Sequence, residues 1–445
     1  MKRRPTLLIQ AAACAAFGAL AAVSASPQGA SKASATPKAA AASKPSAAQA
    51  PRFEVAMLWP KPMPNHWIEG SSVGVAVDAQ DHVFVLNIGD AFNARTEIGA
   101  AATPPTGECC SPAPSVLEFD QQGELVGHWG GPGSGYSWPQ TPSGIAIDKQ
   151  GNVWIAGSGP NDTQLLKFSH DGKFLMAAGK AVAPPPMQAP APAAAPAGRG
   201  GRGGRGGRGV RGGRGGPPPT PPNNASMESF AGATRISFDA SANEAYVADG
   251  SRNRRIAVID MNTGAIKRFW GAYGKAPSDA ATPAYSPEAP ASQQFGTPVM
   301  CAELSSDGLV YVCDRANDRI QLFKKDGSFV KEQTVMPKTL REGSVWDIAF
   351  SRDAAQRFLY VADGMNNQVH VFDRQSLALV ASFGDGGRVP GEFFALHSIA
   401  TDSKGNIYTT ETYEGKRVQK FTYKGLGPVS TAGRAVLWPT SGGKP

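Results

Sequence analysis

Five polar side chains lie at equivalent points of a repeated strand in this sequence of 445 residues. They are Asn87, Asp249, Asp314, Asp363 and Glu411. Amide and carboxylate oxygens are the ligands that Ca²⁺ takes in proteins, so a convergence of these groups at one point would make a cation site. The other interpretation is local, because an Asp in this position also caps the turn that follows it. We favour the local interpretation and keep the four acidic residues as ligand-binding candidates.

The strand that carries these residues is the second of a unit that occurs six times. The first strands contain Gly74, Gly144, Arg235, Met300, Asp347 and Ser398. The second strands begin near Val83, Val153, Ala245, Val310, Leu359 and Ile407. The third strands end at Phe119, Phe168, Ile259, Phe323, Phe372 and Phe421, and an outer strand follows all but the last. Gly, Asp and Asn turns bound these short runs, which is typical of antiparallel strands joined by hairpins.

Six four-stranded units predict an all-β protein, a six-bladed β-propeller. The last unit lacks an outer strand, and residues 53–58 have the right character to supply it. The ring would then be closed by the N-terminal strand. A two-sheet sandwich is the rival architecture, but it does not explain six copies of one unit.

The composition divides the chain into segments. Lys2, Arg3 and Arg4 precede an apolar run and small residues, which is typical of a signal peptide rather than a transmembrane anchor. An Ala/Ser/Pro/Lys stretch follows that cannot bury a core and is predicted to be a disordered tether. The predicted segments are a signal peptide (1–25), the tether (26–51), the propeller (52–425) with insertions at 94–114, 181–226 and 276–294, and a tail (426–445).

The net charge of +8 comes from these appendages. Basic residues before residue 52 and six arginines of the Gly-Arg tract 198–216 account for it, and the rest of the chain is mildly acidic. Such tracts bind single-stranded nucleic acid with the help of interleaved aromatic residues. This tract has none, and an exported chain does not meet nucleic acid. We therefore predict a flexible loop and no nucleic-acid partner, leaving open an electrostatic contact with an anionic envelope surface.

Four cysteines remain after the predicted signal peptide: Cys109, Cys110, Cys301 and Cys313. An even number in an exported protein permits disulfides. Cys301 and Cys313 flank a predicted hairpin turn at 305–308, so a bridge between them is predicted. The sequence does not decide whether Cys109 and Cys110 bond to each other or stay free. Metal binding by these cysteines is not expected, because no Cys-x-x-Cys spacing occurs.

The second strands and the turns after them resemble NHL repeats. The likeness is carried by three segments: 246–250 (YVADG), 311–320 (YVCDRANDRI) and 360–367 (YVADGMNN). It covers about residues 53–425. Among enzymes, the chain looks most like the peptidyl-α-hydroxyglycine α-amidating lyases, which are six-bladed propellers of this class.

The resemblance to the lyases implies a zinc ion in the central channel, held by one His from the inner strand of each of three blades. The matching positions here are Ser143, Met300 and His397, so one of the three ligands is present. Arg315 matches an active-site Arg of the lyases. A hydroxyl and a thioether are poor zinc ligands, so the resemblance favours the fold over the activity. His397 and Arg315 are kept as lyase-matching candidates.

These observations predict an exported binding module, periplasmic or extracellular, for a protein, peptide or glycan at the channel mouth. Trp67 and Trp138 are candidate contacts on loops. The sequence favours a non-catalytic role with no cofactor. The alternatives are a lyase-like metalloenzyme of the peptidylamidoglycolate type, with zinc, and a calcium-dependent lactonase-like hydrolase. No nucleophile elbow, phosphate loop or His-Glu-x-x-His pattern is present in the sequence.

Overall fold

A computed structural model describes residues 49–89, 92–93, 96–183, 218–428 and 436–437. The predicted signal peptide, the tether up to residue 48, the Gly-Arg tract and most of the predicted tail lie outside the described residues. Within the described part, no helix is long and apolar enough to cross a membrane.

Each repeated unit folds as one antiparallel sheet, called a blade here and numbered 1 to 6 along the chain. The inner strands are Ser71–Val77, Pro142–Ile147, Ala233–Asp239, Val299–Leu304, Asp347–Phe350 and Leu396–Thr401. The second strands are Val83–Ile88, Val153–Gly157, Glu244–Asp249, Leu309–Asp314, Phe358–Asp363 and Ile407–Glu411. The third strands are Val116–Phe119, Leu165–Phe168, Arg255–Asp260, Arg319–Lys324, Gln368–Asp373 and Arg417–Pro428. The outer strands of blades 1 to 5 are Leu125–Trp129, Phe174–Ala178, Ile266–Trp270, Phe329–Thr334 and Leu379–Phe383.

Blade 6 is completed by the N-terminal strand Gln49–Val55, which pairs antiparallel with Arg417–Pro428 and places Val55 opposite Phe421. This confirms the predicted closure of the ring. The strand begins at Gln49, within the segment predicted as tether, because Ala50 and Phe53 are buried against the blade. Its partner runs to Pro428, beyond the predicted end of the propeller. A short strand, Val436–Leu437, adds to the edge of the sheet in parallel.

Six hydrophobic clusters hold the described ring together, and each draws its side chains from two neighbouring blades. Between blades 2 and 3, for example, Trp154 packs in one cluster with Ile236 and Val247. Between blades 6 and 1, Tyr408 packs in one cluster with Val85. The second strands are almost wholly buried, because neighbouring blades cover both of their faces. The cyclic series of interfaces makes the fold an all-β, six-bladed propeller, as predicted.

An acidic residue shapes several turns between inner and second strands. The Asp148 carboxylate accepts hydrogen bonds from the backbone N–H of Gln150 at 3.0 Å and of Asn152 at 2.9 Å. Asp402 binds the turn of blade 6 in the same way, through Lys404 and Asn406. Such turns fix the register of the two innermost strands of a blade.

The remaining elements are small. Trp67–Ile68 pairs in parallel with Ser111–Pro112, which ties part of the 94–114 insertion to the entry of blade 1. Three single 3₁₀ turns occur in the described residues, at Gly99–Ala101, Ala272–Gly274 and Arg315–Asn317.

Candidate functional site in the central channel

The inner strands of the six blades surround a central channel. Where these strands turn into the second strands, the channel widens into a cavity of about 390 Å³. We call it the channel cavity. Most of its lining residues are apolar, among them Val77, Ile147, Ile236, Leu304, Ile348 and Phe350, although polar atoms make up more of the surface exposed to the cavity than apolar atoms do.

Arg235, from the inner strand of blade 3, reaches across the channel. Its guanidinium pairs with the Asp347 carboxylate of blade 5 and donates to the Ser398 hydroxyl of blade 6 at 2.7 Å. It also donates to the Ile399 carbonyl at 3.4 Å. All three side chains are buried. We call Arg235, Asp347 and Ser398 together the polar waist; they lie at the inner end of the channel cavity.

Glu303 of blade 4 lies beside this waist, with its carboxyl 3.7 Å from Nε of Arg235. Its side chain keeps 22% of its surface exposed, and it lines the channel cavity. Burial raises the pKa of Glu303 to about 8, with the nearby Asp347 adding to the rise and Arg235 opposing it. At neutral pH the protonated form therefore predominates, and its carboxyl can donate a hydrogen bond.

Asp347 is the carboxylate that balances Arg235. It accepts hydrogen bonds from the Ser398 hydroxyl at 2.8 Å and from the Ile399 N–H at 2.9 Å. Burial raises the pKa of Asp347, and Arg235 opposes that rise. Its second oxygen, Oδ1, has no hydrogen-bond partner among the described residues.

The outer rim of the channel cavity is basic. Lys149 of blade 2 and Arg352 of blade 5 are exposed on turns that line it. With Arg235 they make three cations, whereas Glu303 is mostly neutral at pH 7 and Asp347 supplies one negative charge behind the wall. The channel cavity thus combines a net positive charge with apolar side chains in its wall.

The other end of the channel holds His397, on the inner strand of blade 6. Its ring lies edge-on to Trp346, with centroids 5.6 Å apart, and Trp346 also carries the Arg315 guanidinium at 4.4 Å. Arg315 pairs with Glu342 at 2.6 Å. The structure therefore brings the two lyase-matching candidates, His397 and Arg315, into contact with the same indole ring, that of Trp346.

Burial, together with the charges of Arg315 and Arg235, lowers the pKa of His397 to about 3. The imidazole is therefore neutral at pH 7. It is hydrogen-bonded to the backbone of Val73, and its Nδ1 has no partner among the described residues.

Ser143 and Met300, which stand in place of the other two zinc ligands, already have contacts of their own. The Ser143 hydroxyl donates to the Ala233 carbonyl at 2.8 Å, and Met300 is buried in the cluster between blades 4 and 5. Two guanidinium groups also oppose a divalent cation next to His397. These residues do not fit a zinc site of the lyase kind.

Each of the four acidic candidates on the second strands is buried and bound within its own blade. The pairs are Asp249 with Arg255, Asp314 with Arg319, Asp363 with His370, and Glu411 with Arg417, at 2.7 to 3.0 Å. Burial raises the pKa of Asp314 and of Glu411, whereas their partners Arg319 and Arg417 act to lower it.

The same carboxylates also hold the chain that leads into the blade. Asp249 accepts from the Ala231 N–H, and Asp314 from the Gly296 N–H, both at 2.8 Å. The Asn87 amide likewise donates to the Ala113 carbonyl at 3.0 Å. Among the described residues, these oxygens do not cluster as a Ca²⁺ site requires.

Trp67 and Trp138 are half-buried and pack on aromatic neighbours. Trp67 lies 4.8 Å from the His128 ring, and Trp138 lies 6.0 Å from Phe168 at the interface of blades 1 and 2. Their role as ligand contacts stays a prediction.

Two disulfides are present in the part of the chain that the structure describes. One joins Cys301 to Cys313, which face each other on the inner and second strands of blade 4 with their Cα atoms 4.8 Å apart. The other joins the neighbours Cys109 and Cys110, a pairing that the sequence left open.

The sequence interpretation missed Arg235, Glu303 and Asp347 as a group. The available signal was the presence of charged residues in inner strands that are otherwise apolar. Such residues either pair across a channel or bind what enters it.

No protein-family model and no curated protein sequence matches this chain. Solved propeller structures are similar in shape. A streptogramin B lyase has a TM-score of 0.44 and 10% identity, covering 84% of this chain and 98% of that one. A protein of unknown function from Bacteroides thetaiotaomicron has a TM-score of 0.47 and 12% identity, covering 85% and 77%. The WD40 propeller domain of Doa1 has a TM-score of 0.41 and 9% identity, covering 79% and 78%. At these levels the similarity implies no shared activity.

Proposed function

We propose that this protein is a non-catalytic interaction module whose channel cavity binds a peptide or protein segment carrying a carboxylate next to an apolar side chain. The observation that carries the proposal is the net positive charge of the channel cavity, beside which several aliphatic side chains lie in the wall. Its volume of about 390 Å³ lies within the range of pockets that hold small ligands or single side chains.

The polar waist favours a ligand that enters the channel cavity from one side and does not pass through the ring. Arg235 and Asp347 cross the channel behind the cavity, so a bound segment would end in the cavity rather than thread the ring. A chain terminus meets this condition. Its carboxylate would be attracted by Lys149 and Arg352 and could accept a hydrogen bond from protonated Glu303. An uncharged glycan would not use the positive charge of the cavity.

The proposal includes export of the ring, as the N-terminal segment predicts. Two disulfides support it, because such bonds persist in oxidising compartments and are rare in the cytosol. Cell fractionation of the full chain against a variant lacking residues 1–25 tests this part. Equal retention of both in the cytosol would contradict it.

The binding test uses fluorescent hexapeptides with an aliphatic C-terminal residue, made both as free acids and as amides. Anisotropy should detect binding of the acids, weakening with added salt, and at least about tenfold weaker binding of the amides. The double variant Lys149→Glu/Arg352→Glu should lose the preference for acids. Lys338→Glu is the matched control, because Lys338 is exposed on the connection between blades 4 and 5, away from the cavity-lining residues.

Equal affinity for acids and amides, or unchanged binding by the double variant, would overturn the proposal. Failure of every peptide to bind would also overturn it.

A further inference from the structure

Four side chains that can bind a metal ion meet at the contact between blades 1 and 2. Asp78, His82 and Glu118 come from blade 1, and His170 comes from the turn between the third and outer strands of blade 2. One ligand atom from each lies within 4.8 Å of all the others. It is the one such group among the described residues, and it stands apart from the residues that line the channel cavity.

Two distances between these atoms agree with those of a tetrahedral site. Nε2 of His170 lies 3.5 Å from Oδ2 of Asp78 and 3.4 Å from Oε1 of Glu118. Nδ1 of His82 lies 2.6 Å from the same Glu118 oxygen. Ligands bound tetrahedrally to zinc at about 2.0–2.1 Å are about 3.3 Å apart. Two of these three distances match, and the His82–Glu118 pair would have to open by about 0.7 Å to bind one ion. The other three pairs of ligand atoms lie within 4.8 Å of each other.

In two other blades, the residue equivalent to Asp78 has partners for its second carboxylate oxygen that blade 1 lacks. Asp148 is the equivalent of Asp78 in blade 2, and its Oδ2 accepts from the Trp154 indole at 3.0 Å and lies 3.4 Å from the Lys167 ammonium. In blade 6, Oδ2 of Asp402 accepts from the Tyr408 hydroxyl at 3.0 Å. In both blades, the second carboxylate oxygen is satisfied by donors of the protein.

Blade 1 has replaced these donors. Phe84 stands in the strand position of Trp154 and offers no polar hydrogen. Glu118, which pairs with Phe84, stands in the position of Lys167 and replaces a cation with an anion. Each substitution removes a group that, in blade 2, satisfies the second carboxylate oxygen of the Asp.

Asp78 is left with one unsatisfied oxygen. Oδ1 accepts from the backbone N–H of Gln80 and His82, but Oδ2 has no hydrogen-bond partner among the described residues. Its side chain is only 2% exposed, and the Glu118 carboxylate beside it is also buried. Two buried carboxylates facing one pocket are unfavourable unless a cation lies between them.

We propose that Asp78, His82, Glu118 and His170 bind one divalent transition-metal ion, preferentially zinc. Two imidazole nitrogens and two carboxylate oxygens suit zinc, whereas Mg²⁺ and Ca²⁺ prefer oxygen ligands alone. The side chains of His82 and His170 are 33% and 45% exposed, which leaves a path for the ion from solvent.

Neighbouring residues hold the ligands in place. The His170 ring packs edge-on against Phe84 with centroids 5.1 Å apart. Gly127 faces Glu118, and a Cβ atom there would stand 2.5 Å from the Glu118 carboxylate. The ion would tie a surface turn of blade 2 to the innermost hairpin of blade 1, so its role is to brace this interface.

The test is calorimetric titration of the metal-free full chain with ZnCl₂ at pH 7, with CaCl₂ and MgCl₂ as comparison titrants. Zinc should bind with a stoichiometry of one and raise the melting temperature, and the other two ions should do neither. His82→Ala and His170→Ala should each weaken zinc binding at least about tenfold. His66→Asn is the matched control, because His66 is exposed and lies outside the cluster.

Circular dichroism checks that the variants are folded. The His170 side chain is 45% exposed, so its replacement removes mainly the edge-on contact with Phe84. Absence of zinc binding would overturn the proposal. So would binding that both histidine variants retain at full strength, which would identify adventitious sites.

Discussion

The Arg235 guanidinium and the Asp347 carboxylate pair across the central channel and join blade 3 to blade 5. Every hydrophobic interface of the described ring joins blades that are neighbours, so this ion pair makes a different kind of contact. Its hydrogen bonds to Ser398 and Ile399 bring in blade 6 as well.

Removal of one partner of this pair should be costly. Asp347→Ala leaves the Arg235 charge buried without its carboxylate, and we expect a loss of about 3–5 kcal/mol in the free energy of unfolding. The double variant Arg235→Met/Asp347→Leu should recover most of that loss, because neither charge is then buried. Urea unfolding at pH 7 measures both. A single variant within about 1 kcal/mol of the wild type would show that the pair is solvated.

Glu303 should make the fold less stable as pH rises. Its pKa is about 8 in the folded chain against an ordinary value of 4.5. Between these values the folded state holds a proton that the unfolded state has released, so the free energy of unfolding falls by up to about 1.4 kcal/mol per pH unit. Above pH 8 both the folded and the unfolded states have released this proton, so Glu303 causes no further fall in the free energy of unfolding. Urea unfolding from pH 5 to 8 should show a shallower decline for Glu303→Gln, and parallel profiles would contradict the assignment.

The N-terminal strand should contribute strongly to the contact between blades 5 and 6. Phe53 is fully buried, with its ring centroid 5.8 Å from that of Tyr360 and 5.4 Å from that of Phe383. Phe53→Ala should cost about 3–5 kcal/mol in thermal or urea unfolding. The neighbour Glu54 makes a surface ion pair with Lys424 at 3.3 Å, so Glu54→Ala should cost less than about 1 kcal/mol. Similar losses for the two variants would argue against ring closure by this strand.

The Cys301–Cys313 disulfide closes a loop with a sequence separation of 12. By the chain-entropy argument it stabilises the fold by about 3 kcal/mol, whereas a bond between the adjacent residues Cys109 and Cys110 constrains the unfolded chain very little. The melting temperature should therefore fall on reduction of the wild type. It should be insensitive to reductant in Cys301→Ala/Cys313→Ala and still sensitive in Cys109→Ala/Cys110→Ala.

The sequence predicts the blades well because their signal is local. Short apolar runs, such as the one that starts at Val153, and the Asp and Gly turns that bound them fix strand and hairpin within a dozen residues. The prediction that residues near Phe53 close the ring follows from counting strands, because the last unit has three strands where the others have four.

The sites are less predictable because they depend on the closed ring. The partners of Arg235 lie 112 and 163 positions away in the chain, and only the circular arrangement brings them together. His82 and His170 have no characteristic spacing, because one belongs to a turn of blade 1 and the other to a turn of blade 2. Sequence patterns report the residues of one blade, whereas these groups form between blades.

Closure of blade 6 by both ends of the chain sets an order of events during folding. The segment Gln49–Val55 is synthesised before any complete blade, yet its partner Arg417–Pro428 follows all the others. Until then the first strand has no neighbour, and the last blade offers an open edge on which foreign strands can pair. A chain cut short before residue 417 therefore lacks the closing step altogether. Any processing that removes the N-terminus must stop before Gln49 if the ring is to close.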